Sequence, residues 1–180
     1  MKVLDLGKLQ RYYFAMSKTK KNHCSIRPVQ AEDREQIRAL MIRDWGGEPL
    51  IVHGNSYYPS AMPGLLLFCE GSLQGFLFYD SQDAFYEIIA LEVFTKFQGG
   101  GTQLLEAFKT LALKEGCTTL KVMTTNDNLD ALRFYQRRGF TLTEIALNAA
   151  DQARQLKPTI PLVGDHNIPL QHELILEMKL

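Results

Sequence analysis

The chain has 180 residues, a length that suits one compact domain, and 46% hydrophobic against 22% charged residues supply enough apolar material for a sizeable core. Twenty basic and 20 acidic residues cancel to a formal charge of +0, which argues against a nucleic-acid-binding surface over the whole domain. No apolar run reaches the ~18 residues of a membrane span, the densest stretch being Gly64 to Cys69.

Residues 1–23 carry Lys2, Lys8, Arg11, Lys18, Lys20 and Lys21 against Asp5. This basic N-terminal extension reads equally as a flexible arm, a short docked helix, or sequence upstream of the functional start, with Met16 an alternative start. The patch Tyr12–Tyr13–Phe14 is too short for a secretory signal, so a cytoplasmic location is expected. Cys24, Cys69 and Cys117 follow no close metal-binding spacing and are expected to be reduced thiols.

The regular pattern begins with a short strand at Ser25–Ile26–Arg27, followed by a helix over 31–42 with Ile37, Leu40 and Met41 on its apolar face. Residues 43–63, rich in Gly, Pro, Ser, Asn and Tyr, read as a long, partly ordered functional loop. Leu65–Cys69 and Leu73–Tyr79 flank the turn Glu70–Gly71 as a hairpin, and Tyr86–Val93 is a third apolar strand. A helix over 101–114 follows, with Leu104, Leu105, Phe108, Leu111 and Ala112 on one face and Gly116 as its terminator. Then come a strand over 120–124, a helix over 128–138 stopped by Gly139, and a strand over 140–145. Pro158, Pro161, Gly164 and Pro169 punctuate a second long connection. A final half-buried strand turns Leu174, Leu176, Met178 and Leu180 one way and Glu173, Ile175 and Glu177 the other. The order is mixed α/β, an antiparallel meander followed by strand–helix–strand–helix–strand, and not a repeating βαβ dinucleotide fold.

Lys96–Phe97–Gln98–Gly99–Gly100–Gly101–Thr102–Gln103 joins the third strand of the meander directly to the strong amphipathic helix. Adjacent glycines permit torsions closed to other residues and bring backbone near a ligand. The free N–H groups of a first helical turn favour an anion, and a phosphate or pyrophosphate is the natural occupant. A plain glycine turn accounts for the same residues. The run lacks the Gly-Lys-Ser/Thr of a phosphate loop and the Gly-x-Gly-x-x-Gly of a dinucleotide fold. Downstream, Asn126 or Asn128 can cap the next helix, and Ala131 and Tyr135, four apart, share a face with room for a ligand beside the phenol. Tyr135 reads equally well as a structural tyrosine.

These residues resemble the GNAT superfamily of acyl-CoA-dependent N-acetyltransferases. Gly99–Gly100–Gly101 supplies the glycines of the family's Arg/Gln-x-x-Gly-x-Gly/Ala loop, with Lys96 as a departure at its first position. A register starting at Gln98 would put Gln103 where Gly or Ala belongs. Asn128-x-x-Ala131-x-x-x-Tyr135-x-x-x-Gly139-Phe140 matches the second cofactor-side motif. The resemblance spans roughly residues 25–180, is most specific at 96–140, and includes a tail from Lys157–Pro158 to Leu180 similar to one bacterial-type branch. It implies an α/β (α+β) fold with a mixed, mostly antiparallel central sheet and helices on both faces. It also implies an acetyl-CoA site built from Val93, Phe94, Lys96, Phe97, Gln98, Gly99, Gly100, Gly101, Thr102, Asn128, Ala131 and Tyr135. In that site Asn128 holds the pantetheine arm, and backbone amides around Val93–Phe94 hold the thioester oxygen.

Direct acetyl transfer to an amine needs a base, an oxygen-stabilising group, alignment and a proton for the leaving thiolate, and no metal. Glu87 matches the position of the base in several relatives, and burial between apolar neighbours raises such a carboxyl towards neutrality. Glu92, five residues on, belongs to the opposite strand face unless a bulge intervenes. For either glutamate a salt-bridged structural role is the alternative. Tyr135 is the candidate acid. His53 stands with Asn55, Tyr57 and Tyr58 in the long loop, either touching substrate or facing solvent. Cys117 lies far from any evident base, against an acetyl-cysteine. The expectation is an N-acetyltransferase acting on a small-molecule amine, with no nucleic-acid or membrane partner, homodimerisation being common for the fold. A non-catalytic acyl-CoA-binding domain and a nucleic-acid-associated protein using the basic arm are the rival readings.

Overall fold

The structure, a computed structural model, describes residues 24–82, 85–95 and 98–180; the basic extension 1–23 lies outside the described residues. A seven-stranded sheet forms the centre. Its strands are β1 (Cys24–Pro28), β4 (Gly64–Cys69), β5 (Ser72–Ser81), β6 (Tyr86–Val93), β7 (Thr119–Thr125), β9 (Glu173–Lys179) and β8 (Thr141–Ala146), in that spatial order. Every neighbouring pair is antiparallel except β6 and β7. A separate hairpin pairs β2 (Leu50–Val52) with β3 (Asn55–Tyr57).

Helices cover both faces. On one, α2 (Gly100–Lys114) buries Leu104, Leu105 and Phe108 against Leu65, Leu67, Leu77, Ile88 and Leu120, and Tyr135 of α3 (Leu129–Gln136) joins that cluster. On the other, α1 (Arg34–Trp45) packs Ile37, Leu40 and Met41 with Phe76, Phe78 and Ile89, and the β2–β3 hairpin adds Leu50 and Val52. Leu176 and Met178 of β9 enter the first cluster, but the strand is not half-buried as expected: Glu173 and Ile175 on its other face are buried too. Gly116, at φ 80, closes the end of α2 with Cys117 N–H on the Ala112 carbonyl, a left-handed C-terminal turn that a side chain would strain.

Three expectations are corrected. Residues 43–63 are not a loop. The first helix runs on to Trp45 before Gly46 (φ 67) stops it, and the hairpin β2–β3 follows, turning on His53 (φ 50) and Gly54 (φ 73). Two successive positive φ values make the two-residue turn whose twist suits a hairpin, and His-Gly carries this signal less visibly than Asn-Gly. The connection after β8 contains a helix, α4 (Ala149–Leu156), which buries only Ala150 and Ala153. So small an apolar stripe leaves no periodicity to read. Finally, Cys24 and Cys69 are not reduced thiols but a disulfide, whereas Cys117 is free and buried. They are direct cross-strand partners at the end of the β1–β4 ladder, 45 residues apart in sequence, so spacing alone could not pair them. Among the described residues no helix is long and apolar enough to cross a membrane.

Candidate active site

The single parallel contact in the sheet is short. Tyr86–Ile88 pairs with Leu120–Val122 and then β6 and β7 part, although β7 goes on pairing with β9 to Thr125. Divergence begins at a bulge: Phe78 of β5 faces Ala90 and Tyr79 faces Ile88, which leaves Ile89 as the extra residue of β6. A bulge bends the strand that carries it and increases its twist. The gap opens into a cleft of about 470 Å³ that passes through the sheet. Ile88–Leu91 and Met123–Thr125 form its lips. Asn128, Ala131 and Tyr135 line one side, and Trp45, Val52, Lys157 and Glu173 the other.

On the first side, the glycine turn sits at the head of α2. Gly99 is left-handed at φ 87, and the first bond of the helix runs from Gln103 N–H to its carbonyl at 3.1 Å. The N–H groups of Gly100, Gly101 and Thr102 therefore precede the ladder and are free to meet an anion. The three glycines divide the work. A Cβ on Gly99 would meet nothing within 4 Å, so torsion alone requires glycine there. A Cβ on Gly100 would lie 2.8 Å from Leu67 Cδ2, and one on Gly101 3.2 Å from the Phe134 ring, so these two let α2 close on β4 and α3. Gln98 lines a smaller polar recess with Gly100, Gln103 and the Cys24–Cys69 disulfide. Lys96 and Phe97 lie outside the described residues. A cation that sequence reading did not single out stands at the helix head. The Arg138 guanidinium donates to Thr102 Oγ1 (3.2 Å from Nε) and stacks 3.7 Å from the Phe134 ring.

Asn128 caps α3, its Oδ1 accepting from Ala131 N–H at 3.0 Å. Tyr135 is 5% exposed, with its ring edge-on to Phe134 and Phe140. Burial holds its phenol well above the ordinary tyrosine value, hence protonated at neutral pH. The Phe94 N–H donates to the Gln74 carbonyl at 2.9 Å and its ring packs on Phe76, so that amide is spent inside the sheet. Strand alternation turns the Val93 N–H away from β5.

On the other side, the bulge at Ile89 has a direct chemical effect. It restores Glu92 to the face of Glu87, the exception left open for a bulge in this strand. Glu92 Oε2 accepts from Trp45 Nε1 at 2.6 Å. Glu87, 5% exposed, meets His53 Nε2 at 2.8 Å. His53 is neither wholly solvent-facing nor buried, its side chain 34% exposed, and its Nδ1 lies 3.6 Å from Glu173 Oε2. That separation is an ion-pair contact too long for a hydrogen bond. The Glu87 hydrogen bond raises the imidazole pKa against the opposing effect of burial.

Glu173 is the residue sequence reading passed over. It is 3% exposed, lines the cleft, and its Oε2 has no hydrogen-bond partner among the described residues. Burial raises its pKa above the usual glutamate range, with the charge of His53 pulling the other way. The sequence set Glu173 on the face opposite Leu174, Leu176 and Met178 of a half-buried strand, and that face is buried as well at Glu173 and Ile175. Lys157, in the connection after α4, donates from Nζ to the carbonyls of Trp45 (3.0 Å) and Gly47, and so ties the rim of the cleft to the end of α1.

Comparison with known proteins bears on the family and the fold. The profile of the Acetyltransferase (GNAT) family matches residues 28–140. The Bacillus subtilis protein YxbD is 32% identical over 157 residues, covering 87% of this chain and 99% of its own length. YdhI of the same organism is 31% identical over 143 residues, or 79% and 89%. Among solved structures, a GNAT family acetyltransferase from Elizabethkingia anophelis with acetyl-CoA bound superposes with a TM-score of 0.67 at 22% identity, over 89% of this chain and 100% of its own. The IAA acetyltransferase from Bacillus cereus gives 0.68 at 18% identity, over 87% and 99%. Likeness at these identities speaks to the fold.

Proposed function

Because this chain belongs to the acetyltransferase (GNAT) family, we propose that it moves an acetyl group from acetyl-CoA to a primary amine on a small molecule, by direct attack within a ternary complex. The observation that carries the reading is the cleft itself. A protonated phenol, Tyr135, lines one side of a gap in the sheet, and the buried carboxylate Glu173 lines the other.

The residues fit the coenzyme. An anion is met by the free N–H groups of Gly100, Gly101 and Thr102, which only a left-handed Gly99 can present, with the Arg138 guanidinium alongside. Asn128 and Ala131 line the way from there into the cleft, the small side chain of Ala131 leaving room for a pantetheine arm. Bound acetyl-CoA supplies the activated acetyl carbon. The Val93 N–H, turned away from β5, is the remaining backbone donor for a thioester oxygen, since that of Phe94 is engaged. Tyr135 keeps its proton at neutral pH and gives it to the departing sulfur. A carboxylate beside His53 removes the proton from the acceptor's ammonium. Cys117 is buried with its thiol on the Thr119 carbonyl at 3.1 Å, which favours direct transfer over an acetyl-cysteine. The Lys157 tie across the rim favours a small amine over a peptide chain.

The test is release of coenzyme thiol from acetyl-CoA by the purified chain with a panel of amines: a diamine, an amino acid, an aminoglycoside and a peptide amine. Amine-dependent release with intersecting initial-rate lines is expected. Parallel lines, or an acetylated Cys117, would sink the direct-transfer scheme, and preference for the peptide amine would sink the small-molecule assignment.

A further inference from the structure

The three glutamates around the cleft are not equivalent. Glu92 Oε2 accepts from Trp45 Nε1 and Glu87 Oε1 is bonded to His53 Nε2, whereas Glu173 Oε2 is buried, lines the cleft and has no hydrogen-bond partner among the described residues. A buried carboxylate oxygen without a hydrogen-bond partner is costly, and natural proteins keep such groups where a ligand completes them. The cleft opens the Glu173 oxygen towards the same space that Tyr135 lines.

On the acetyltransferase reading, we propose that Glu173 is the catalytic base and that His53, held by Glu87, is its positioning residue. One N–H bond of the acceptor's ammonium breaks and an O–H bond forms on Glu173 Oε2. The amine nitrogen keeps the electron pair that attacks the acetyl carbon, the C–S bond breaks as Tyr135 protonates the sulfur, and a second nitrogen proton replaces the one Tyr135 gave. The proton then leaves Glu173 to bulk water past the part-exposed edge of His53. The charged groups facing Glu173 are His53 from the β2–β3 turn and Glu87 from β6, while Glu144 of β8 acts on His53. Lys157 lines the same cleft from the connection after α4. The cross-strand partners of Glu173 on β7 and β8, Thr125 and Ala146, carry no charge. When protonated, His53 stabilises the ionised base, and Glu87 fixes the ring by its other nitrogen. A carboxyl lifted by burial is a stronger proton acceptor than a free one, and this supports a role that the geometry assigns.

The experiment uses the full chain and the amine that turns over fastest in the panel. Glu173→Gln is expected to lower kcat at neutral pH about 100-fold with the Kd for acetyl-CoA unchanged. Its rate should return as pH rises through the acceptor's own pKa, because the amine then arrives without its proton. His53→Asn is expected to keep more of the rate and to move the acidic limb of the pH profile to higher pH, because it removes the charge that lowers the Glu173 pKa. A Glu173→Gln enzyme with the wild-type rate, or one that has lost acetyl-CoA binding along with its rate, overturns the assignment. A second readout needs no acceptor. Difference infrared spectroscopy of wild type against Glu173→Gln should show one carboxyl titrating above the ordinary glutamate range, moved further up in His53→Asn. A carboxyl that titrates in the ordinary range overturns the proposal. A wild type that binds acetyl-CoA and acetylates no amine overturns the acetyltransferase reading instead, and the infrared titration then decides on Glu173 alone.

Discussion

Glu87 and Glu92 stand on the same face of β6 although five residues separate them, because Ile89 is an extra residue in that strand. An unbroken strand would send one of them into the opposite core. The bulge therefore does two things at once: it starts the opening between β6 and β7, and it gathers the acidic groups on the side of the sheet covered by α1 and the β2–β3 hairpin.

Glu92 is committed to Trp45, so its loss should be a matter of stability. Glu92→Gln, which keeps an oxygen for the indole N–H, should change kcat by less than about threefold and cost about 1 kcal/mol in urea melts. Trp45→Phe should cost more, since it leaves Glu92 without the indole donor and fills less of the core under α1. A large fall in kcat for Glu92→Gln at unchanged stability would return Glu92 to the list of bases.

Tyr135→Phe removes a hydroxyl and keeps the ring on Phe134 and Phe140. Stability should move by about 1 kcal/mol or less, while kcat falls about 100-fold. Because burial holds the phenol above its ordinary value, the wild-type rate should show no alkaline loss near the usual tyrosine range. An alkaline limb in that range, absent from the variant, would contradict this.

The glycines of the turn should separate by experiment. Gly99→Ala meets open space but sits at φ 87, so it should cost about 1 kcal/mol or more in backbone strain and weaken acetyl-CoA binding by calorimetry. Gly101→Ala pushes on Phe134, which should lower stability by about 1–3 kcal/mol through displacement of α2 from α3. Equal effects on binding and stability at the two positions would refute the division of roles.

Glu173 also makes a prediction about folding. Its folded-state pKa is raised, so between the ordinary glutamate value and that raised value the native state binds more protons than the unfolded chain. The contribution of this carboxyl to stability is therefore greatest below the ordinary value and falls as pH rises through the window. Glu173→Gln should be less sensitive to pH across that range in thermal melts, and more stable than wild type at neutral pH, the usual direction when an active-site carboxylate is neutralised. A variant with the wild-type slope would remove the raised pKa from the account.

The Cys24–Cys69 disulfide closes a loop of 45 residues by sequence separation. Reduction should cost about 2–4 kcal/mol on the loop-entropy argument. Equal melting midpoints with and without reductant would show that the bond contributes nothing in solution.

Much of this was legible in the sequence, for identifiable reasons. The meander, α2 and β9 follow from strict apolar periodicity, and the glycine turn follows from its place between a strand and a helix. The hairpin at His53–Gly54 escaped because its strands are only three residues each, too short for a period to register. Helix α4 escaped because two alanines are all it buries. The cluster of His53, Glu87 and Glu173 escaped for a different reason. Each residue was visible, one in the supposed long loop, one in the meander and one in the tail, but only the order of strands brings them together. Arg138 was likewise read as part of a helix end, while its partner Thr102 lies at the head of another.

The parallel seam between β6 and β7 holds by three residue pairs. The sheet is thus two half-sheets, one of β1, β4, β5 and β6 and one of β7, β9 and β8, with little backbone bonding across their junction. Anything that enters the gap takes the part of the missing rungs. Occupancy and cohesion then become one thermodynamic quantity: a ligand bound there clasps the halves together, and amide exchange across Ile88 and Val122 reports on how firmly the molecule is closed.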